Sequence, residues 1–237
     1  MAKVEIIDSK KKIEDLVKKL AKQRAFVFNI EVEEKASFTV KLLGASFCFE
    51  KQKSFYVPCL KSEILNFKSI LENSKIEKYG HDLKRNFEIL RQEKIDLIRA
   101  TFDTMIAAYL LNPGAKTYKL ENLIPAKFGE KITPEEELTG KGRKKINLGQ
   151  VAMEKISLYS GERAEAVWRL VEVLKEELRE NELLKLFENL EMPLLPVLAE
   201  MEIDGVKIDA RLLKKYSKQA EKDLEKISEK IFKLTKT

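Results

Sequence analysis

Cysteine and histidine are scarce in this sequence. Its 237 residues include two cysteines and one histidine. Cys48 lies in an apolar run and Cys59 follows Val57-Pro58, with no Cys-x-x-Cys spacing. A structural zinc site needs four Cys or His ligands, and a disulfide framework needs several pairs. Both are excluded, and the two cysteines read as reduced thiols of a cytoplasmic protein. Long apolar runs are also missing. None approaches the roughly 18 residues needed to cross a bilayer, and the Met1-Ala-Lys-Val-Glu start has no signal-peptide apolar region. The expectation is a cytoplasmic, soluble protein without a membrane partner. No internal repeat or low-complexity segment is present.

What the sequence does have is apolar residues at 44% and charged residues at 35%, mostly Lys and Glu. The first allows a sizeable core in one large domain, or one domain plus part of another. The second is a balance common in thermophile proteins. The net charge of +6 suits a phosphate-rich partner, although most lysines on such a chain simply solvate helices.

The first hundred residues alternate strands and helices. Val4–Ile7 reads as a strand. Ser9 can cap a helix whose stripe is Ile13, Leu16, Val17 and Leu20. Residues 25–30, 38–49 and 54–57 read as strands joined by polar hairpins, which makes an antiparallel meander. Helices are expected over 62–71, 81–91 and 102–111, the last stopped by Asn112-Pro113-Gly114. Another starts at Tyr118. Residues 140–145 read as a flexible basic loop, and 150–190 as helical. Pro193 and Pro196 break that stretch, and Asp204-Gly205 reads as a tight turn. A charged helix over 210–237 carries Leu213, Tyr216, Ala220, Leu224, Ile227 and Ile231 as its apolar stripe. A domain boundary falls between about 178 and 192. It divides residues 1–185 from residues 186–237.

Two segments carry a resemblance: Phe102-Asp-Thr-Met-Ile-Ala-Ala-Tyr-Leu-Leu-Asn-Pro113, and the stretch from Glu191 through Pro193, Pro196 and Asp204-Gly205 to Asp209. Both resemble signatures of bacterial family A DNA polymerases. The first lies in the 3′–5′ proofreading-exonuclease domain, the second where that domain meets the polymerase thumb. Tyr56-Val-Pro58, Gly80-His81 and a tyrosine-bearing helix near 159 fall in the matching order. The resemblance implies an α/β fold of the RNase H-like exonuclease type: a mixed sheet flanked by helices, followed by a helical segment that begins the thumb. It also implies that the palm and a 5′-nuclease domain are outside this chain, so no polymerase activity is expected of it. The missing polymerase domain would be a partner. An RNase D-like or helicase-associated exonuclease shares the fold, but lacks the junction matched by 191–209.

Exonucleases of this family hold two divalent metals about 4 Å apart on carboxylates. The family pattern is Asp-x-Glu, then Asn-x-x-x-Asp, then Tyr-x-x-x-Asp. Here the positions read Asn29 and Glu31, then Asp82 and Asn86, then Tyr159 and Arg163. One of the four expected carboxylates survives. Glu31 and Arg163 cancel, leaving zero formal charge where the family pattern carries four negative charges. The expected state is a catalytically inactive domain with no metal cofactor. The alternative is an active Mg²⁺- or Mn²⁺-dependent exonuclease with rearranged acids, using Glu31 and Asp82, since Asp82 lies one helical turn before Asn86. Glu33 and Glu162 are further rescue candidates. DNA, as a single strand or primer end, is the expected partner. Lys141, Arg143, Lys144 and Lys145 would contact its phosphates. Arg163 is expected to fill the space of the metals, pair with Glu31 or Asp82, and leave a self-satisfied polar cluster.

Overall fold

The computed structural model describes residues 3–34, 40–58 and 63–235. The strands are β1 (Lys3–Ile6), β2 (Ala25–Glu34), β3 (Val40–Glu50), β4 (Lys53–Pro58), β5 (Glu77–Gly80) and β6 (Ala100–Asp103). The helices are α1 (Lys10–Leu20), α2 (Lys68–Leu71), α3 (Leu83–Gln92), α4 (Thr104–Leu111), α5 (Leu120–Phe128), α6 (Glu135–Thr139), α7 (Met153–Glu180), α8 (Leu184–Leu186), α9 (Met192–Asp204) and α10 (Ala210–Thr235). The chain divides into two compact units, residues 1–201 and residues 202–237.

The sheet of the first unit runs β1-β4-β3-β2-β5-β6. Strands β2, β3 and β4 form the expected antiparallel meander. Around it, β1 pairs parallel with β4, β2 with β5, and β5 with β6. The sheet is therefore mixed, with helices against it. Its aromatic core joins Phe26, Phe28, Phe47, Phe55 and Phe67, all essentially inaccessible. Phe47 and Phe67 stack at 4.6 Å.

Local signals place several elements well. Ser9 caps α1 through the Lys12 N–H, and Ile13, Leu16 and Leu20 are buried beneath it. Helix α7 crosses the sheet closely because Gly161 has no side chain. A Cβ there would stand 2.6 Å from Val4 Cγ2 and 2.7 Å from Ser54 Oγ.

Other elements differ from expectation. Phe102 and Asp103 end a strand instead of opening a helix. Asp103 keeps extended dihedrals and its carboxylate accepts the Met105 and Ile106 N–H groups, so α4 starts at Thr104, two residues later than expected. Likewise α3 starts at Leu83, after Asp82 in the left-handed region at φ 57°. Pro193 and Pro196 do not break the chain's helical course. A widened π turn over Phe187–Glu191 precedes them, and both lie in the first two turns of α9. The first part of the 62–71 helix is a 3₁₀ turn over Ile64–Phe67. A helical turn also forms at Gly142–Lys144. The expected strand start at Phe38 and the thiol of Cys59 lie outside the described residues. Cys48 is a free, buried thiol, which burial pushes up to about 12. Met105 is only half-buried and lines a cleft, and Tyr109 is 46% exposed and meets Tyr118 edge to face, so neither belongs to the buried core. Among the described residues, no helix is long and apolar enough to cross a membrane.

In the second unit, α10 carries the expected stripe, and none of its residues is buried.

Candidate functional site

All six positions singled out by motif spacing converge. Asn29, Glu31, Asp82, Asn86, Tyr159 and Arg163 line one cleft of about 390 Å³. Strand β2 supplies the first two from alternate positions, so both side chains leave the same face. Helix α3 supplies Asn86, and the turn before it Asp82. Helix α7 supplies Tyr159 and Arg163 one turn apart.

Beside Glu31 the ladder is opened by a bulge between Glu31 and Val32, and Glu31 pairs with Gly44. Gly44 is required there because a Cβ would fall 2.1 Å from the Tyr56 hydroxyl, which lies across it. Glu31 is buried. Burial raises its pKa, against the Arg163 charge and hydrogen bonds that lower it. One of those bonds comes from the Asn29 amide, which donates to Glu31 Oε1 at 2.6 Å.

The loop that carries Asp82 is set by a residue that motif spacing did not single out. Asp103 is 1% exposed. Its carboxylate accepts the Leu83 N–H at 2.6 Å, the Met105 N–H at 2.7 Å and the Asp82 N–H at 3.3 Å. It ties the start of α3 to the start of α4. Burial raises its pKa to about 6, against the backbone N–H groups that lower it. The signal was present in the sequence as an Asp-Thr pair before an apolar helix, an N-cap pattern.

His81 sits beside this junction. Its Nδ1 is 2.9 Å from Thr104 Oγ1, whose hydroxyl donates to the Gly80 carbonyl. With that hydroxyl proton committed, Nδ1 must carry the donor hydrogen. Burial, with Arg163 nearby, lowers its pKa to about 3, so it is neutral.

Arg163 turns inward, as expected, but its partner differs. Its guanidinium forms an ion pair with Glu121 of α5, not with Glu31 or Asp82. Its Cζ stands 4.3 Å from the centre of the Tyr159 ring. Glu31 is instead bonded by Asn29, and that short reach lies within one strand. The self-satisfied cluster is also incomplete: among the described residues, the buried Asn86 Nδ2 has no hydrogen-bond partner. Arg85, Lys119, Glu121 and Glu135 line the cleft as well, and motif spacing gave no sign of them. Glu162 turns away and accepts the Thr133 N–H at 3.1 Å. Glu33 lies beside Gly149 and faces Lys41 at 3.9 Å.

Lys141, Lys144 and Lys145 are not among the residues that line the cleft. Lys141 pairs with Glu136 at 2.7 Å, and Lys145 with Glu135 at 3.3 Å. Lys144 is exposed, and the Arg143 side chain is outside the described ones. The link through Glu135 places Lys145 at the cleft's edge.

These residues do not fit two divalent metals. Among the described residues, no group of three or more His, Cys, Asp or Glu side chains is arranged to hold a metal. The surviving carboxylate already accepts an amide hydrogen, and a guanidinium stands among the ligand positions. A dication needs hard, charged oxygens and would meet N–H donors there.

The mixed sheet with its crossing helix α7 defines an RNase H-like exonuclease fold, and the motif positions gather at one cleft within it. Solved structures share the fold. One is the "POL domain of Pol1 from M. smegmatis complex with DNA primer-template and dNTP". It has a TM-score of 0.74 at 18% identity, over 97% of this chain and 37% of that one. Another is Brucella melitensis NrnC, with a TM-score of 0.66 at 14% identity, over 89% of this chain and 98% of that one. The family profile described as "DNA polymerase I, ribonuclease H-like domain" matches residues 28–170. DNA polymerase I of Bacillus subtilis is 36% identical over 75% of this chain and 20% of its own length. That of Borreliella burgdorferi is 31% identical over 96% of this chain and 25% of its own length. The chain belongs to the DNA polymerase I family, as its 3′–5′ exonuclease-like, ribonuclease H-like domain. It spans about a quarter or less of the length of these relatives.

Proposed function

We propose that this domain is a catalytically inactive member of its family that serves a structural and DNA-contacting role in DNA replication and repair. The observation that carries the reading is Arg163. It stands at a metal-ligand position of the motif, turned into the cleft, stacked on Tyr159 and paired with Glu121. Asn29, Glu31 and Asn86 complete a set with one carboxylate, already hydrogen-bonded. Neither Mg²⁺ nor Mn²⁺ is then a cofactor. The partners are a DNA strand or primer end and a polymerase domain, to which residues 186–237 would lead as the start of a thumb. One solved neighbour is titled as a complex with a DNA primer-template. Lys141, Arg143, Lys144 and Lys145 would add sequence-independent phosphate contacts that weaken with salt. The buried Cys48 thiol supports a cytoplasmic location.

The test is incubation of a 5′-labelled single strand with the chain and Mg²⁺ or Mn²⁺. The reading expects no shortening of the strand. Progressive loss of 3′ nucleotides, abolished by Asp82→Ala or Glu31→Ala, would establish the rearranged active exonuclease in its place.

A further inference from the structure

An aromatic pair stands on α4 and on the segment that joins it to α5. Tyr109 of α4 is 46% exposed, and its ring meets that of Tyr118 at 5.8 Å and 90°. In an edge-to-face pair each ring keeps at least one face that the other does not cover. Tyr109 points away from the core, since the buried residues of α4 are Thr104, Ala107 and Ala108. The Tyr118 ring is held from its far end, because its hydroxyl donates to the Asn112 carbonyl at 3.0 Å. That carbonyl also accepts the Ala115 N–H at 3.1 Å, which turns the chain between the two tyrosines. Two exposed lysines, Lys116 and Lys119, flank Tyr118 in the chain. Glu136, whose charge is felt by Lys119, is itself paired with Lys141 at 2.7 Å. Neither tyrosine lines the cleft, although Lys119 does. A single exposed tyrosine needs no explanation. Open aromatic faces on a fixed support, with exposed lysines beside them, have the composition of a surface on which bases stack while cations meet phosphates.

We infer that the Tyr109–Tyr118 pair is a stacking platform for the bases of single-stranded DNA, with Lys116 and Lys119 meeting the neighbouring phosphates. This rests on the reading of the domain as one that contacts DNA, and it adds a place and a kind of contact that the motif positions of the cleft do not supply. Stacking selects a single strand over a duplex, because paired bases turn their faces to one another and not to a tyrosine. It tolerates any sequence, because every base has a flat face.

The experiment is fluorescence anisotropy of the whole chain with a fluorescein-labelled oligothymidylate in EDTA. An abasic strand of the same length, which keeps the phosphates and lacks the bases, is the comparison probe. The oligothymidylate should bind about tenfold or more tighter than the abasic strand. Tyr109→Ala should weaken oligothymidylate binding by a similar factor, and Tyr109→Phe should leave it nearly unchanged. Abasic-strand binding should respond to neither substitution. A strand carrying 5-iodouracil, irradiated on the wild-type chain, should crosslink to Tyr109 or Tyr118, and this readout stands even where a variant fails to fold. Equal binding of the two strands, unchanged binding by Tyr109→Ala, or crosslinks that miss both tyrosines overturn the platform. Salt-sensitive binding of both strands alike would remove the platform and leave the DNA-contacting role. No binding of either strand would remove both.

Discussion

Arg163 stands at a metal-ligand position of the motif, against the Tyr159 ring and paired with Glu121. Restoring acids around a fixed guanidinium does not recreate a two-metal site, because the cation still stands among the ligands and repels the incoming dications. Asn29→Asp with Asn86→Asp should therefore leave strand cleavage undetected, and the triple variant that adds Arg163→Asp should be the first to show it. Cleavage by the double variant, measured on a labelled single strand, would remove the blocking role of Arg163. Glu121 would lose its partner in the triple variant, so a thermal melt should accompany the assay.

His81 offers a second test at this scale. Its folded pKa of about 3 lies below its ordinary 6.5, because of burial first and Arg163 second. Between those values the unfolded chain binds the extra proton. The histidine's contribution to stability is thus whole above pH 6.5 and is lost as pH falls toward 3, with a limiting slope of about 1.4 kcal/mol per pH unit. Asp103 acts in the opposite sense. Its pKa is raised by burial from 3.8 to about 6, so its contribution is whole below 3.8 and is lost as pH rises through 6. The two oppose one another between 3.8 and 6, so the difference between wild type and His81→Gln is the informative quantity. Urea unfolding should show His81→Gln losing less stability than wild type between neutral pH and about pH 5. Parallel losses would mean that His81 titrates as an exposed group.

At the scale of elements, Asp103 joins the ends of β5 and β6 to the starts of α3 and α4 through backbone N–H groups. Asp103→Ala removes an N-cap and leaves the buried Leu83 N–H unmatched, a loss of about 2 kcal/mol or more. Denaturant unfolding should report it, and a change under about 0.5 kcal/mol would show that water replaces the carboxylate.

The elements that could be read from sequence were those with a strong local period or cap, such as α1 with Ser9 and the meander of β2 to β4. Strands β5 and β6 were not read. Each has four residues, one centred on Lys78, which is fully buried with its Nζ donating to the Asn73 carbonyl at 2.6 Å. Such short parallel strands are specified by tertiary packing instead of by alternation. The six motif positions were legible because spacing carries over between relatives. The Glu121 partner of Arg163 was not, because a contact from α5 to α7 spans 42 residues and leaves no local pattern.

Considered as a whole, the chain has two units with unequal cores. Residues 1–201 contain the sheet and its buried clusters, whereas α10 in residues 202–237 exposes Leu213, Tyr216, Leu224, Ile227 and Ile231. Backbone amides of a helix without buried contacts open at low free energy. Hydrogen exchange of the monomer should be fast over 210–235 and slow over β2 to β5. Equal protection would mean that another surface covers the stripe.

The central claim is that this exonuclease-like cleft no longer accepts the two metals of its family. The most direct measurement is anomalous diffraction from a crystal of the chain soaked in Mn²⁺. The account expects no anomalous peak in the cleft lined by Glu31, Asp82, Asn86 and Arg163, with the guanidinium still against Tyr159 and Glu121. A pair of Mn²⁺ peaks about 4 Å apart on Glu31 and Asp82, with Arg163 displaced, would contradict it.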